Sequence, residues 1–187
     1  MNKKTLALTE KQYTEIIETM RTGFAGSRPN DRIATALVIQ ANCGLRIGDV
    51  LSLTMRSFVR DGNRYRLDIT EQKTGKERFF TIPNEIFLFL DNYRMRNQIK
   101  PNEPLFDISE RAVQKQLKIV CDYLNYPGIS THSFRKYFAT SIYENSGKDI
   151  ALVQRLLQHT SAATTQRYIG IEPERIEKAL QNHIKLV

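Results

Sequence analysis

One stretch of this chain changes its hydrophobic period, and that change limits the fold more than any other feature. Between Ser57 and Pro83, Tyr65, Leu67 and Ile69 alternate with Arg66, Asp68 and Thr70, and Gly62 and Gly75 fall where hairpin turns would sit. A two-residue period belongs to a half-buried strand, so the segment predicts three antiparallel strands. On either side the spacing is helical. Thr9 can cap a helix carrying Tyr13, Ile16, Ile17 and Met20, and Ala34, Leu37, Val38 and Ala41 mark a buried stripe ending near Gly44. Arg46 opens a short helical turn with Val50, Leu51 and Leu53 inward; Pro83 and Ser109 can start two further helices. Phe134, Phe138 and Ile142 then recur every four residues, Val153, Leu156 and Leu157 form another stripe, and Ser161 begins a short helix bearing Tyr168. The expected fold class is α+β, mainly α-helical, with a small three-stranded antiparallel sheet.

Charge narrows the partner. The 187 residues hold 28 Lys+Arg against 20 Asp+Glu, a net +8 spread along the chain and not gathered in a tail. A folded basic face opposite a polyanion is the expectation. Cys43 and Cys121 stand apart from each other and from any histidine at ligand spacing, which argues against a zinc site or a disulfide framework. The N-terminus lacks a secretory apolar stretch, and the best apolar run, Ile33 to Ala41, is far too short to cross a bilayer, so a cytoplasmic protein without a membrane partner is expected.

Against that background five reactive side chains stand out: Arg46, His132, Arg135, His159 and Tyr168. Attack on a phosphodiester without a metal needs cations for the phosphoryl oxygens, a proton donor for the leaving group and a hydroxyl nucleophile; these residue types supply all three. His132 and Arg135, three apart at a helix start, can share one face where free backbone N–H groups add positive potential. A capping histidine beside a surface arginine is the plainer reading of that pair alone. Arg46 has Asp49 three residues on to orient it, either as a purely structural pair or as a fork held ready for phosphate. Tyr168 is one tyrosine of eight, and is singled out by its company.

Three extended blocks carry a resemblance. Gly44-Leu45-Arg46-Ile47-Gly48-Asp49-Val50-Leu51-Ser52-Leu53, Thr131-His132-Ser133-Phe134-Arg135-Lys136-Tyr137-Phe138-Ala139-Thr140, and the run from Leu156 through His159 to Tyr168 resemble, in order, the signature blocks of the tyrosine recombinase (phage integrase) family. The resemblance covers roughly residues 9 to 170. It implies a site-specific recombinase or integrase of a mobile element, with a catalytic domain over 1–170. Arg46, Arg135 and His159 would bind the non-bridging oxygens of the scissile phosphate, Tyr168 would attack phosphorus to give a 3′-phosphotyrosine, and His132 would serve the tyrosine's proton. Asp49 would support from behind. A family lysine lies in a hairpin turn, matched here by Glu71-Gln72-Lys73-Thr74-Gly75-Lys76; Lys73 is the choice to protonate the departing 5′-oxygen and Lys76 its competitor. Neither metal, ATP nor any other cofactor is implied. Lys76, Lys136 and Arg167 join Arg46, Lys73 and Arg135 as expected DNA contacts, with double-stranded DNA as partner.

The resemblance also shapes the expected organisation. Family members usually carry a small helical DNA-binding domain before the catalytic one, and here none is expected, which predicts salt-sensitive binding through phosphates. Residues 171–187 read as a tail helix with Ile176, Leu180 and Ile184 on one stripe, able to dock on a neighbouring copy. A monomer or weak oligomer when free, and a homotetramer on recombining DNA, follow. Two rivals remain open at this level: DNA relaxation of the type IB topoisomerase kind, and a non-catalytic DNA-binding regulatory module.

Overall fold

A computed structural model describes residues 7–169 of the chain. The tail helix expected over 171–187, with Ile176, Leu180, Ile184 and His183, lies outside the described residues, as does the side chain of Arg167. The chain divides after Phe138 into two compact units.

In the first unit the alternating segment forms β1 (Phe58–Asp61), β2 (Arg64–Thr70) and β3 (Glu77–Ile82), an antiparallel meander in the order β1-β2-β3. Phe58 pairs with Leu67, and Leu67 with Phe80, so inward residues stack across the sheet while Phe79 points out to solvent. The helices are α1 (Glu10–Thr22), α2 (Asp31–Cys43), α3 (Ile47–Leu51), α4 (Asn84–Arg96) and α5 (Glu110–Tyr123). Their starts follow the sequence signals: Thr9 and Gln12 form a capping box on α1, Asn30 caps α2 and Ser109 caps α5.

α2 was expected to bury one stripe, yet Ile33, Ala34, Thr35, Ala36, Leu37 and Ile39 are all buried. Its alanines present little bulk, which lets α1 and α3 pack closely against it, and α1 and α3 also contact α5. α2 ends at Gly44, whose left-handed conformation (φ 61°, ψ 27°) closes the last turn. Arg46 is the residue before α3, and α3 therefore starts where the α2 cap leaves it.

α6 (Thr131–Asn145) contains the division between the units. The second unit continues with α7 (Ile150–Leu157), capped by Asp149, and α8 (Ala162–Ile169), which pack on each other. Ala139, Tyr143, Val153, Leu157 and Thr165 are buried there. Among the described residues no helix is long and apolar enough to cross a membrane.

Candidate active site

Arg46 is fixed by an acid that the sequence reading did not single out. Its Nη1 lies 2.5 Å from Glu71 Oε2, whereas the expected partner Asp49 sits at 4.0 Å, the outer edge of an ion pair. Asp49 is occupied elsewhere: its Oδ1 accepts the backbone N–H of Gln72 at 2.9 Å, tying the turn between β2 and β3 to α3. That bond holds the residue before Lys73. Gly75, at φ +65°, and the Gly75 N–H to Glu71 carbonyl bond close the same turn.

Glu71 and Arg78 occupy the centre of this arrangement. Both side chains are buried, with Arg78 Nη1 3.4 Å from Glu71 Oε1, and the Thr74 hydroxyl donates to Glu71 Oε2 at 2.8 Å. Burial alone would raise the Glu71 carboxyl, but the Thr74 hydroxyl and the Arg46 and Arg78 guanidiniums outweigh it and hold it below the ordinary value. Arg78 is pulled down to about 10, first by burial and then by the charge of Arg135. It still carries its proton at neutral pH.

Arg135 corrects the surface-arginine reading: it is 3% exposed, and its Nη1 donates to the Gly44 carbonyl at 2.5 Å. Arg78 donates to the same carbonyl at 3.4 Å and to that of Cys43 at 3.1 Å. The terminal carbonyls of α2, which lack intrahelical donors, thus become the seat for two guanidiniums.

Arg46, Lys73 and His132 line one cleft of about 400 Å³, together with Gly48, Asp49, Gln72 and Thr131. Lys76 does not line it. His132 has its imidazole pushed below the ordinary value of 6.5, first by desolvation and then by Arg135, Lys73, Lys136 and Arg46. Beyond the desolvation, the four cations that add to that shift put positive charge around His132. Three His, Cys, Asp or Glu side chains in a metal-holding group are not found among the described residues.

In the second unit, His159 follows the left-handed Gln158 that ends α7, and Gln154 pins it from both sides: the His159 N–H donates to the Gln154 carbonyl, and Gln154 Nε2 donates to the His159 carbonyl. Its Nδ1 lies 3.1 Å from the Thr165 hydroxyl of α8. Tyr168, one turn further along α8, meets the imidazole edge-on with ring centroids 5.1 Å apart. The Tyr168 ring is therefore packed against the His159 imidazole, where the sequence offered no apolar stripe to hold it.

Sequence reasoning missed Glu71 and Arg78. A signal existed: Arg78, Phe80 and Ile82 share the inward parity of β3, so a charged residue stands where the pattern calls for an apolar one.

Residues 7–175 match the Phage integrase family. The probable integrase/recombinase YoeC of Bacillus subtilis (strain 168) is 32% identical over 157 residues, covering 80% of this chain and 83% of its own. The tyrosine recombinase XerA of Pyrococcus furiosus is 28% identical over 185 residues, covering 94% of this chain and 60% of its own. A solved structure of the XerH site-specific recombinase, bound to a palindromic difH substrate as a post-cleavage complex, matches in fold with a TM-score of 0.70 at 21% identity, over 96% of this chain and 53% of that one. The chain spans little more than half the length of the latter two.

Proposed function

This chain belongs to the phage integrase family of tyrosine recombinases, and we propose that it cuts and rejoins double-stranded DNA at specific sites through a 3′-phosphotyrosyl intermediate, using neither metal nor ATP. The observation that carries this reading is the convergence of Arg46, Lys73 and His132 on one positive cleft, with Arg135 tied to the carbonyl two residues before Arg46.

Each side chain has one task. Arg46, Arg135 and His159 bind the non-bridging oxygens and stabilise the charge that builds on them in the transition state. The 3.1 Å contact between Nδ1 and the Thr165 hydroxyl orients the His159 ring and leaves Nε2 as the nitrogen available to meet an oxygen. The Tyr168 oxygen forms a bond to phosphorus as the bond to the 5′-oxygen breaks; His132 takes the phenolic proton and Lys73 gives one to the leaving oxygen. A neutral His132 is the form able to accept, which its lowered titration favours. Attack by a 5′-hydroxyl reverses the step, so the phosphodiester energy is conserved. Asp49 steadies the turn that carries Lys73. Lys76, Lys136 and Arg167 contribute DNA contacts, four copies assemble on recombining DNA, and the protein works in the cytoplasm.

The test is covalent capture. The chain is incubated in EDTA with a pool of nicked suicide duplexes carrying a randomised core, and denaturant-resistant adducts are isolated and sequenced. The expected result is an adduct that disappears in Tyr168→Phe. An adduct that persists in that variant, or forms only with a divalent metal, overturns the assignment. Relaxation of supercoiled plasmid without recombinant products would reassign the activity to the topoisomerase kind.

A further inference from the structure

We propose that Glu71 and Arg78 are positioning residues for phosphoryl transfer: Arg78 braces the Gly44 carbonyl and the Glu71 carboxylate, the two groups that hold Arg135 and Arg46, so that both guanidiniums meet one phosphate in a fixed geometry. The inference deepens the DNA-cleaving function proposed above and rests on it.

The bonding pattern is what points there. Glu71 reaches Arg46 through Oε2 at 2.5 Å and Arg78 through Oε1 at 3.4 Å, using a different oxygen for each. Gly44 accepts from Arg135 at 2.5 Å and from Arg78 at 3.4 Å through a single oxygen. Arg78 thus bonds to both supports. The Gly44 support is stiff, because a Cβ there would fall 2.3 Å from the Phe138 ring and its φ is +61°. The peptide has little freedom to turn its carbonyl elsewhere.

Burial argues against a purely structural pair. The Arg78 and Glu71 side chains are 2% and 0% exposed, and taking both charges out of water is costly enough that an apolar pair of similar volume is commonly as stable. Capping α2 would explain the Arg78 bonds to Cys43 and Gly44, but it gives no reason for Glu71 to join Arg78 to Arg46. Fixing dipoles and charges in advance of the reaction does, since a clamp that need not reorganise stabilises the transition state more than one that must.

The experiment compares two substrates made from the duplex recovered by covalent capture, one with a phosphodiester and one with a neutral methylphosphonate at the scissile position. Glu71→Gln keeps the shape and removes the charge; Thr74→Val, at an exposed turn residue, loosens Glu71 and guards against a folding failure of the first variant. On the phosphodiester, Glu71→Gln is expected to slow adduct formation on the order of 10- to 100-fold and Thr74→Val about 3-fold. On the methylphosphonate, which lacks the charge the clamp serves, both deficits should shrink to within about 2-fold. Equal deficits on both substrates, or none on the phosphodiester, overturn the positioning role. Absence of any adduct from the unaltered chain instead overturns the parent function, and this inference with it.

Discussion

In the first unit the arginines are held by partners far away in sequence, whereas in the second His159 is held by neighbours. Arg135 bonds to a carbonyl 91 positions away and Arg46 to a carboxylate 25 away. His159 relies on Gln154 and Thr165, five and six residues off. The difference teaches where rigidity is needed. Two guanidiniums of like charge repel, and keeping them in register takes a folded core with a buried carboxylate among them. The proposed nucleophile Tyr168 and one imidazole can ride on a helix pair whose own turns set their spacing. Damage should therefore couple stability to activity in the first unit and separate the two in the second.

The sharpest separation is expected for Tyr168→Phe. Without the phenolic oxygen no adduct forms, while the lost interactions of one hydroxyl cost about 0.5–1.5 kcal/mol in chemical denaturation. Next come the arginines. Arg135→Ala is expected to slow adduct formation by about 10² to 10³ and also to lower stability by about 2–4 kcal/mol, because it empties a buried site and removes a donor from the Gly44 carbonyl. Arg46→Ala, at a side chain 24% exposed, should match that rate loss with a smaller stability change. Single-turnover rates and urea titrations on the same preparations check both. A Tyr168→Phe variant as unstable as Arg135→Ala would break the contrast.

These residues also show how far the sequence could be read. The meander was legible because a period of two interrupts a period near four, and the caps at Thr9 and Ser109 were legible because capping is local chemistry. The proposed clamp residues were picked out one at a time, through their blocks. Their supports were not. Glu71 and Arg78 act through long-range contacts that no local spacing encodes: the Arg46–Asp49 pair expected from sequence proximity is present at 4.0 Å, but the closer partner of Arg46 is Glu71 at 2.5 Å. Arg135 likewise read as a surface residue because it lies beside the Phe134-Phe138-Ile142 stripe and not within it, whereas it is buried and bonded to the end of α2.

A smaller effect separates the two turn lysines. Lys73→Ala should slow cleavage by about 10²-fold, the scale of a lost general acid, and Lys76→Ala by less than about 3-fold, since only Lys73 lines the cleft. A bridging 5′-phosphorothiolate, whose sulfur leaves without protonation, should restore most of the rate to Lys73→Ala. If Lys76→Ala is instead the variant rescued, the turn presents the other lysine to the reaction.

The smallest expected effect is a shift in one titration, and it asks directly whether the first unit is charged in advance for an anion. Desolvation, then Arg135, Lys73, Lys136 and Arg46, hold the His132 imidazole below 6.5. The unfolded chain, with its histidine near about 6.5, then takes up the proton first as pH falls. Any stability that His132 contributes is accordingly complete above that value and is lost on acidification toward the lower folded value. Activity that needs the neutral imidazole should persist to the same lower limit. Replacing Lys73 by alanine removes one repelling charge and should move the titration upward, toward 6.5, whereas Lys76→Ala should leave it in place. With three histidines in the chain, the imidazoles can be followed individually by NMR. A His132 that titrates at or above 6.5 would mean that solvent screens the arginine cluster from the cleft, and the long-range bracing in the first unit would then serve stability alone.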